Sequence, residues 1–335
     1  MKRWIAWLAV ATLAATVGTL AAALWWLQHP LELRHDAVEL SIEPGTPPRE
    51  VAQGWVQAGV ATQPRLLYEW FRWSGQSRAI RAGSYEIERG VTPRTLLDKM
   101  VRGDEVLSTV RLTEGWTFRQ FRAELARAPN LKQALAGLSD EALMAAIGAA
   151  GVKPEGRFFP DTYAYSKGAS DRLVLKRAYA AMQRRLDAAW AERSADLPLR
   201  SPDEALILAS IVEKETGATS DRRKVAAVFI NRLRAGMPLQ TDPAVIYGLG
   251  AAFDGNLRKR DLQRDTPYNT YLRAGLPPTP IAMPGRASLL AAVQPDPTRA
   301  LYFVSRGDGS SEFSDSLPQH NRAVDKYQRP GKKKP

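Results

Sequence analysis

The sequence predicts an α+β protein with a single amino-terminal transmembrane helix, on three observations. Residues 4–28 form an uncharged apolar run, short alternating strands punctuate longer stretches of helical periodicity, and an apolar helix beyond it ends in two carboxylates, Glu213 and Glu215. The chain then divides into a tip, anchor and linker (1–36), a small α+β module (37–106), a mixed helical domain closing in a hairpin (107–330) and a basic tail (331–335).

The run from Trp4 to Gln28 is long enough to cross a bilayer core, with Trp4 and Trp7 at one end and Trp25 and Trp26 at the other. Lys2 and Arg3 direct the amino end to the cytoplasm, against a weaker opposing charge at Arg34. A cleavable signal peptide is the alternative, since Ala21, Ala22 and Ala23 offer small residues. The apolar run outlasts the roughly 7–15 residues of a signal core, which favours an uncleaved single-pass anchor. Everything after it is then exported, placing the protein in the cytoplasmic (inner) membrane with its folded part outside. Composition narrows the partner. A net charge of +12 calls for something anionic, and export excludes nucleic acid, leaving anionic lipid or a cell-surface polymer. There is no cysteine, and His29, His35 and His320 are scattered, so neither a metal nor a cofactor is expected.

In the small module, Val38–Ile42 alternates as a strand, Pro48–Ala58 carries Val51, Trp55 and Val56 on one helical face, and Leu66, Leu67, Trp70 and Phe71 stripe a second helix. Gly83–Ile87 reads as a strand, and Thr92 caps a helix opened by Pro93 and running to Arg102. The order strand, helix, helix, strand, helix resembles LysM-like carbohydrate-binding modules. Trp55, Trp70 and Trp73 read equally well as core residues and as sugar platforms.

Residues 107–157 predict a strand at Leu107–Leu112, a helix at Thr117–Ala128 and an Ala-rich helix at Ser139–Ala150, none carrying evident chemistry. Phe158-Phe159-Pro160-Asp161-Thr162-Tyr163 reads as an aromatic loop, open to sugar or pinned to the core. Asp171–Ala191 is a long amphipathic helix whose Arg172, Lys176, Arg177, Arg184 and Arg185 read mostly as solvated charge.

Chemistry concentrates after Ser201. This residue reads as an N-cap, Pro202 takes the first helical position, and Glu204 completes a Ser-x-x-Glu box. Between Ala205 and Val212 only Ser210 is polar, and Gly217 is expected to end the helix. Glu213 and Glu215 therefore sit at the carboxyl end of a buried helix, where the helix end and poor solvation favour a protonated acid. A supporting helix starts at Ser220-Asp221 and ends before Gly236. Asp242 is expected to cap a short helix begun by Pro243, and Gln240, Thr241 and Asp242 also suit a cleft lining. Residues 268–285 form a Pro-stiffened loop rich in hydroxyl and amide groups. A hairpin, Leu301–Ser305 with Ser311–Ser314, and a helix containing His320 and Asn321 close the domain.

Leu208-Ala209-Ser210-Ile211-Val212-Glu213-Lys214-Glu215-Thr216, Val228-Phe229-Ile230-Asn231-Arg232-Leu233, Leu239-Gln240-Thr241-Asp242-Pro243, Tyr268-Asn269-Thr270-Tyr271 and Gly275-Leu276-Pro277-Pro278 together resemble the membrane-anchored endolytic murein transglycosylases, the YceG-like family. Phe159-Pro160-Asp161-Thr162-Tyr163, the LysM-like module and the anchor fall in family order. The resemblance implies a lyase that cuts nascent peptidoglycan glycan strands between N-acetylmuramic acid and N-acetylglucosamine. The product would end in 1,6-anhydromuramic acid, the cut would terminate strand elongation, and peptidoglycan synthases would work nearby. It implies Glu213 as the acid. It also implies a substrate cleft drawing on Glu215, Asn231, Gln240, Thr241, Asp242, Tyr247, Tyr268, Asn269, Thr270 and Tyr271. One departure stands out: where the family tends to place a His, two residues before the Phe of the last hairpin, this chain has Ser311.

Helical geometry sets Glu213 and Glu215 about 200° apart, so they cannot serve one bond. Both lie on largely apolar faces, and periodicity does not choose between them; the resemblance does. A lytic transglycosylase needs one carboxyl group, whereas an ordinary glycosidase uses two, about 5–9.5 Å apart. Two other possibilities stay open on sequence alone: a two-carboxylate muramidase using Glu213 and Asp242, and a non-catalytic scaffold that binds the wall.

Overall fold

The computed structural model describes residues 2–328; the basic tail at 331–335 and the Lys2 and Arg3 side chains lie outside the described residues. Helix α1 (Lys2–Gln28) contains, over Val10–Gln28, a segment long and apolar enough to cross a membrane. The chain forms two compact units. One comprises the chain up to Ser108 together with Ala164–Ala169, and the other Thr109–Tyr163 and everything from Ser170 onward.

In the first unit β1 (Ala37–Ile42) pairs antiparallel with β2 (Gly83–Glu88), setting Val38 opposite Ile87 and Leu40 opposite Tyr85. Helices α2 (Pro48–Ala58), α3 (Pro64–Trp73) and α4 (Pro93–Arg102) supply the rest of its core. Trp55, Leu67, Phe71, Tyr85 and Leu96 are buried completely. Two of the three tryptophans turn inward: Trp55 Nε1 lies 3.2 Å from Met100 Sδ, and Trp70 Nε1 donates to the Pro93 carbonyl at 3.0 Å. Trp73 is 78% exposed and is the one free to meet a ligand. Thr92 caps α4 as expected, in a reciprocal pair with Thr95.

Strands β3 (Leu107–Arg111) and β4 (Thr162–Ser166) form a second two-stranded sheet. The aromatic stretch at 158–163 thus runs into a strand instead of forming a free loop. Its rings face inward, with Phe158 and Phe159 both buried.

The second unit contains α5 (Phe118–Arg127), α6 (Asp140–Ala146), α7 (Asp171–Ala191), α8 (Pro202–Glu215), α9 (Arg222–Arg234), α10 (Asp242–Leu249), α11 (Lys259–Leu262) and α12 (Arg286–Val293). The β5 (Tyr302–Ser305) and β6 (Ser311–Ser314) hairpin and α13 (Leu317–Tyr327) complete it. Helix α8 is the axis, contacted by α7, α9, α10 and α12. Leu206, Leu208, Ala209, Ile211 and Val212 on it are completely buried, and each buried Leu or Ile contributes about 1.5–3 kcal/mol.

Several local expectations are corrected. Ser201 does cap α8, accepting from Glu204 N–H, but the Glu204 carboxylate accepts from Arg200 N–H and so does not close a box. The helix stops at Thr216 rather than Gly217: Thr216 turns extended and its hydroxyl donates to the Val212 carbonyl at 2.7 Å. Helix α6 ends at Ala146, four residues early, because the chain takes up a left-handed conformation at Gly148. The Arg185 guanidinium is not simply solvated, lying 3.9 Å from the centroid of the Phe159 ring. Helix α12, short and flanked by irregular chain, was not anticipated.

Candidate active site

The two carboxylates at the end of α8 part company. Glu215 turns inward, where its Oε1 accepts from the Thr241 hydroxyl at 2.6 Å, and burial first, then the nearby Asp242 charge, push its carboxyl above the ordinary range. Glu213, half-buried like Glu215, has its Oε2 accepting from the Gly285 N–H at 2.9 Å. The sequence could not place that donor, which lies 72 residues away. It is delivered by the Pro-stiffened loop. Ser210, the one polar residue in the buried part of α8, accepts from Ile281 N–H at 3.0 Å, and Met283 exchanges backbone hydrogen bonds with Gly115 and Trp116. The loop is thereby fixed against α8 and arrives at Gly285, the residue that precedes α12.

The turn containing Gly115 brings a second carboxyl group that sequence reasoning passed over. A Cβ on Gly285 would overlap the Glu114 carboxyl, and one on Gly115 would stand 3.9 Å from Glu213 Cγ. Partial burial and the facing Glu213 charge raise the Glu114 carboxyl, and Arg222 offsets them. Glu114 also lines a hollow of about 310 Å³ with Arg111, Pro160, Asp161 and Thr162. The only advance signal was the Thr113-Glu114-Gly115-Trp116 turn itself, which looks like any acidic turn.

The remaining predicted site residues fall into two groups. Gln240, Thr241, Asp242, Thr270 and Tyr271 form one knot: Gln240, at a left-handed φ of 53°, donates its N–H to the Thr270 carbonyl, Thr241 N–H donates to the Thr270 hydroxyl, and Tyr271 OH donates to Asp242 at 2.6 Å. Asp242 is the first residue of α10 and not its cap; Thr241 precedes the helix, its hydroxyl spent on Glu215. The Tyr271 hydroxyl is held well above its usual range by burial and by Asp242.

Tyr247 and Tyr268 belong to a different place, a cleft of about 830 Å³ that also takes in Arg119, Lys153 and Glu155. Their rings meet edge to face at 4.8 Å; Tyr247 OH donates to Glu155, and Tyr268 OH is 2.7 Å from the Thr279 hydroxyl. Glu155, a second carboxylate missed in the sequence, accepts Phe118 N–H at the start of α5, and its burial raises it to about 7. Glu213 does not line this cleft.

Asn231 and Asn269 serve the scaffold, Asn231 donating to the Thr298 and Ala300 carbonyls and the buried Asn269 to those of Leu262 and Arg264. At the position where the resemblance led us to look for a His, Ser311 offers its backbone N–H to Asp221 at 2.6 Å. Among the described residues no group of His, Cys, Asp and Glu is arranged to hold a metal ion.

With this geometry in place, comparison with known proteins is decisive about kinship. The family model described as YceG-like matches residues 40–326. The chain belongs to the YceG-like family. A Bacillus subtilis (strain 168) protein named endolytic murein transglycosylase is 31% identical over 309 residues, covering 87% of this chain and 84% of that protein. A Streptococcus pneumoniae (strain D39) protein of the same name is 26% identical over 321 residues, covering 86% of this chain and 58% of its own length. The crystal structure of a YceG-like protein from Listeria monocytogenes superposes with a TM-score of 0.55 at 27% identity, covering 86% of this chain and 98% of that one. The YceG-like resemblance and the α+β architecture expected from the sequence are both borne out.

Proposed function

We propose that this YceG-like protein is a membrane-anchored lytic transglycosylase that cuts peptidoglycan glycan strands internally, with Glu213 as its acid and base. The observation that carries this is the division of labour at the end of α8. Both carboxylates are half-buried, but Glu215 has an oxygen taken by the Thr241 hydroxyl, while Glu213 is held by a single backbone donor. The transglycosylase names of the relatives supply the reaction class.

The protonated Glu213 gives its proton to the glycosidic oxygen as the bond from C1 of N-acetylmuramic acid breaks, and N-acetylglucosamine leaves with a new hydroxyl. Positive charge gathers at C1. The muramic acid 6-hydroxyl then bonds to C1, its proton passes to the Glu213 carboxylate, and the acid is restored. No water is consumed, and the product ends in 1,6-anhydromuramic acid. The knot of Gln240, Asp242, Thr270 and Tyr271 and the Tyr247 and Tyr268 cleft are the surfaces to which we assign glycan binding.

The apolar α1 suits an inner-membrane anchor with its amino end cytoplasmic, holding the site near nascent strands so that cutting ends their elongation. The LysM-like module at 37–106, with Trp73 exposed, would hold glycan, and synthases that extend the strands would be neighbours. Glu213→Gln is the direct test: it should fold, still bind glycan and lose cleavage. Cleavage at the wild-type rate would mean that another group is the acid.

A further inference from the structure

Gly285 has φ −80° and ψ 175°, a backbone that any residue adopts. What demands glycine there is room, since a side chain would run into the Glu114 carboxyl. The same residue donates its N–H to Glu213. Two carboxyl groups thus converge on one glycine, and neither is placed by chance. Glu114 rides on a turn fixed to the loop by the Gly115 N–H to Met283 carbonyl bond (2.9 Å) and the Met283 N–H to Trp116 carbonyl bond (2.8 Å), while Glu213 rides on the buried α8.

We propose that Glu114 is a positioning residue for Glu213, acting through its charge on the proton that Glu213 must give up and take back. This inference rests on the acid and base role assigned to Glu213 above. Two like charges close together resist simultaneous ionisation, so the charge on one bears on the proton of the other. The raised carboxyl of Glu114, caused by partial burial and then by Glu213, agrees with this arrangement. The other charged groups facing the pair are Lys214 on α8, whose Nζ donates to the Gly115 carbonyl, Arg222 at the start of α9, and Arg111 and Asp161 across the hollow. Arg222 Nε is buried without a hydrogen-bond partner among the described residues. None of these groups changes when Glu114 does, and the effect of removing Glu114 can be read separately.

The experiment is the pH dependence of kcat/KM on purified glycan strands for the full-length wild type, Glu114→Gln, Glu114→Asp, Gly285→Ala and Glu213→Gln. Loss of the Glu114 charge should lower kcat about tenfold or more with little change in KM. It should also move the alkaline limb of the profile down by about 0.5–2 pH units, the effect of losing one neighbouring like charge at intermediate screening. Glu114→Asp should lie between. Gly285→Ala keeps the N–H but displaces the Glu114 carboxyl, so it should reproduce the limb shift without touching either acid. An alkaline limb unmoved in both Glu114→Gln and Gly285→Ala would overturn the proposal, as would an effect confined to KM. Glu213→Gln separates the two levels. If it still cleaves, the assigned function fails; if it is inactive while the limb of Glu114→Gln stays put, only the role of Glu114 fails.

Discussion

Glu155 gives the sharpest prediction about the scaffold. Its carboxyl is buried beneath the Tyr247 hydroxyl and the first turn of α5, and rises from an ordinary 4.5 to about 7 because burial outweighs the hydrogen bonds from Phe118 N–H and Tyr247 OH. A carboxyl raised in the folded state favours folding when protonated. Its contribution is therefore complete below pH 4.5 and disappears as pH rises through 7. The gap between those values corresponds to about 3 kcal/mol, an upper figure because the denatured chain is itself partly compact. Glu155→Gln keeps the shape and an acceptor for Phe118 but cannot ionise. Urea unfolding followed by tryptophan fluorescence at pH 5 and pH 8 should show the wild type losing about 2–3 kcal/mol more than the variant across that interval. Parallel stability curves would refute the idea that burial controls this carboxyl, and would mean that the Phe118 N–H and the Tyr247 hydroxyl hold it ionised.

Thr241→Val removes the hydroxyl that serves the half-buried Glu215, and should cost about 1–3 kcal/mol in denaturant unfolding. Ser210→Ala releases the Ile281 N–H from α8; the melting temperature should fall by a few degrees, and kcat should fall as well because the loop that carries Gly285 to Glu213 loses its anchor. In the small module Trp55→Ala should cost about 3–5 kcal/mol by denaturant unfolding, and Trp73→Ala close to nothing. If that module grips glycan through Trp73, the second change weakens sedimentation with cell-wall polymer while leaving stability intact.

Local signals carried much of this architecture. Helix α7 occupies the predicted Asp171–Ala191, and α2 the predicted Pro48–Ala58, since both have strong starts and a periodic apolar face. Burial of α8 was equally plain from its run of aliphatic residues. The site itself depended on contacts that no local pattern encodes. Glu213 and Glu215 were equivalent by periodicity, and what distinguishes them is a loop donor at Gly285 and a hydroxyl at Thr241. Glu114 went unnoticed because the reason for its placement is the missing side chain of a glycine far along the chain. For Glu155 the partner, Phe118 N–H, is 37 residues away. Asn231 and Asn269 looked like ligand-binding amides, yet their donors are used by backbone carbonyls, a role that one sequence cannot separate from recognition.

The central claim is that Glu213 works with the substrate's own 6-hydroxyl and without water. Mass analysis of the fragments released from purified glycan strands tests it most directly, with Glu213→Gln run alongside. The wild type should release fragments with 1,6-anhydromuramic ends and Glu213→Gln none. Fragments heavier by one water, ending in a reducing sugar, would contradict the account and point to a carboxylate-activated water at the same site.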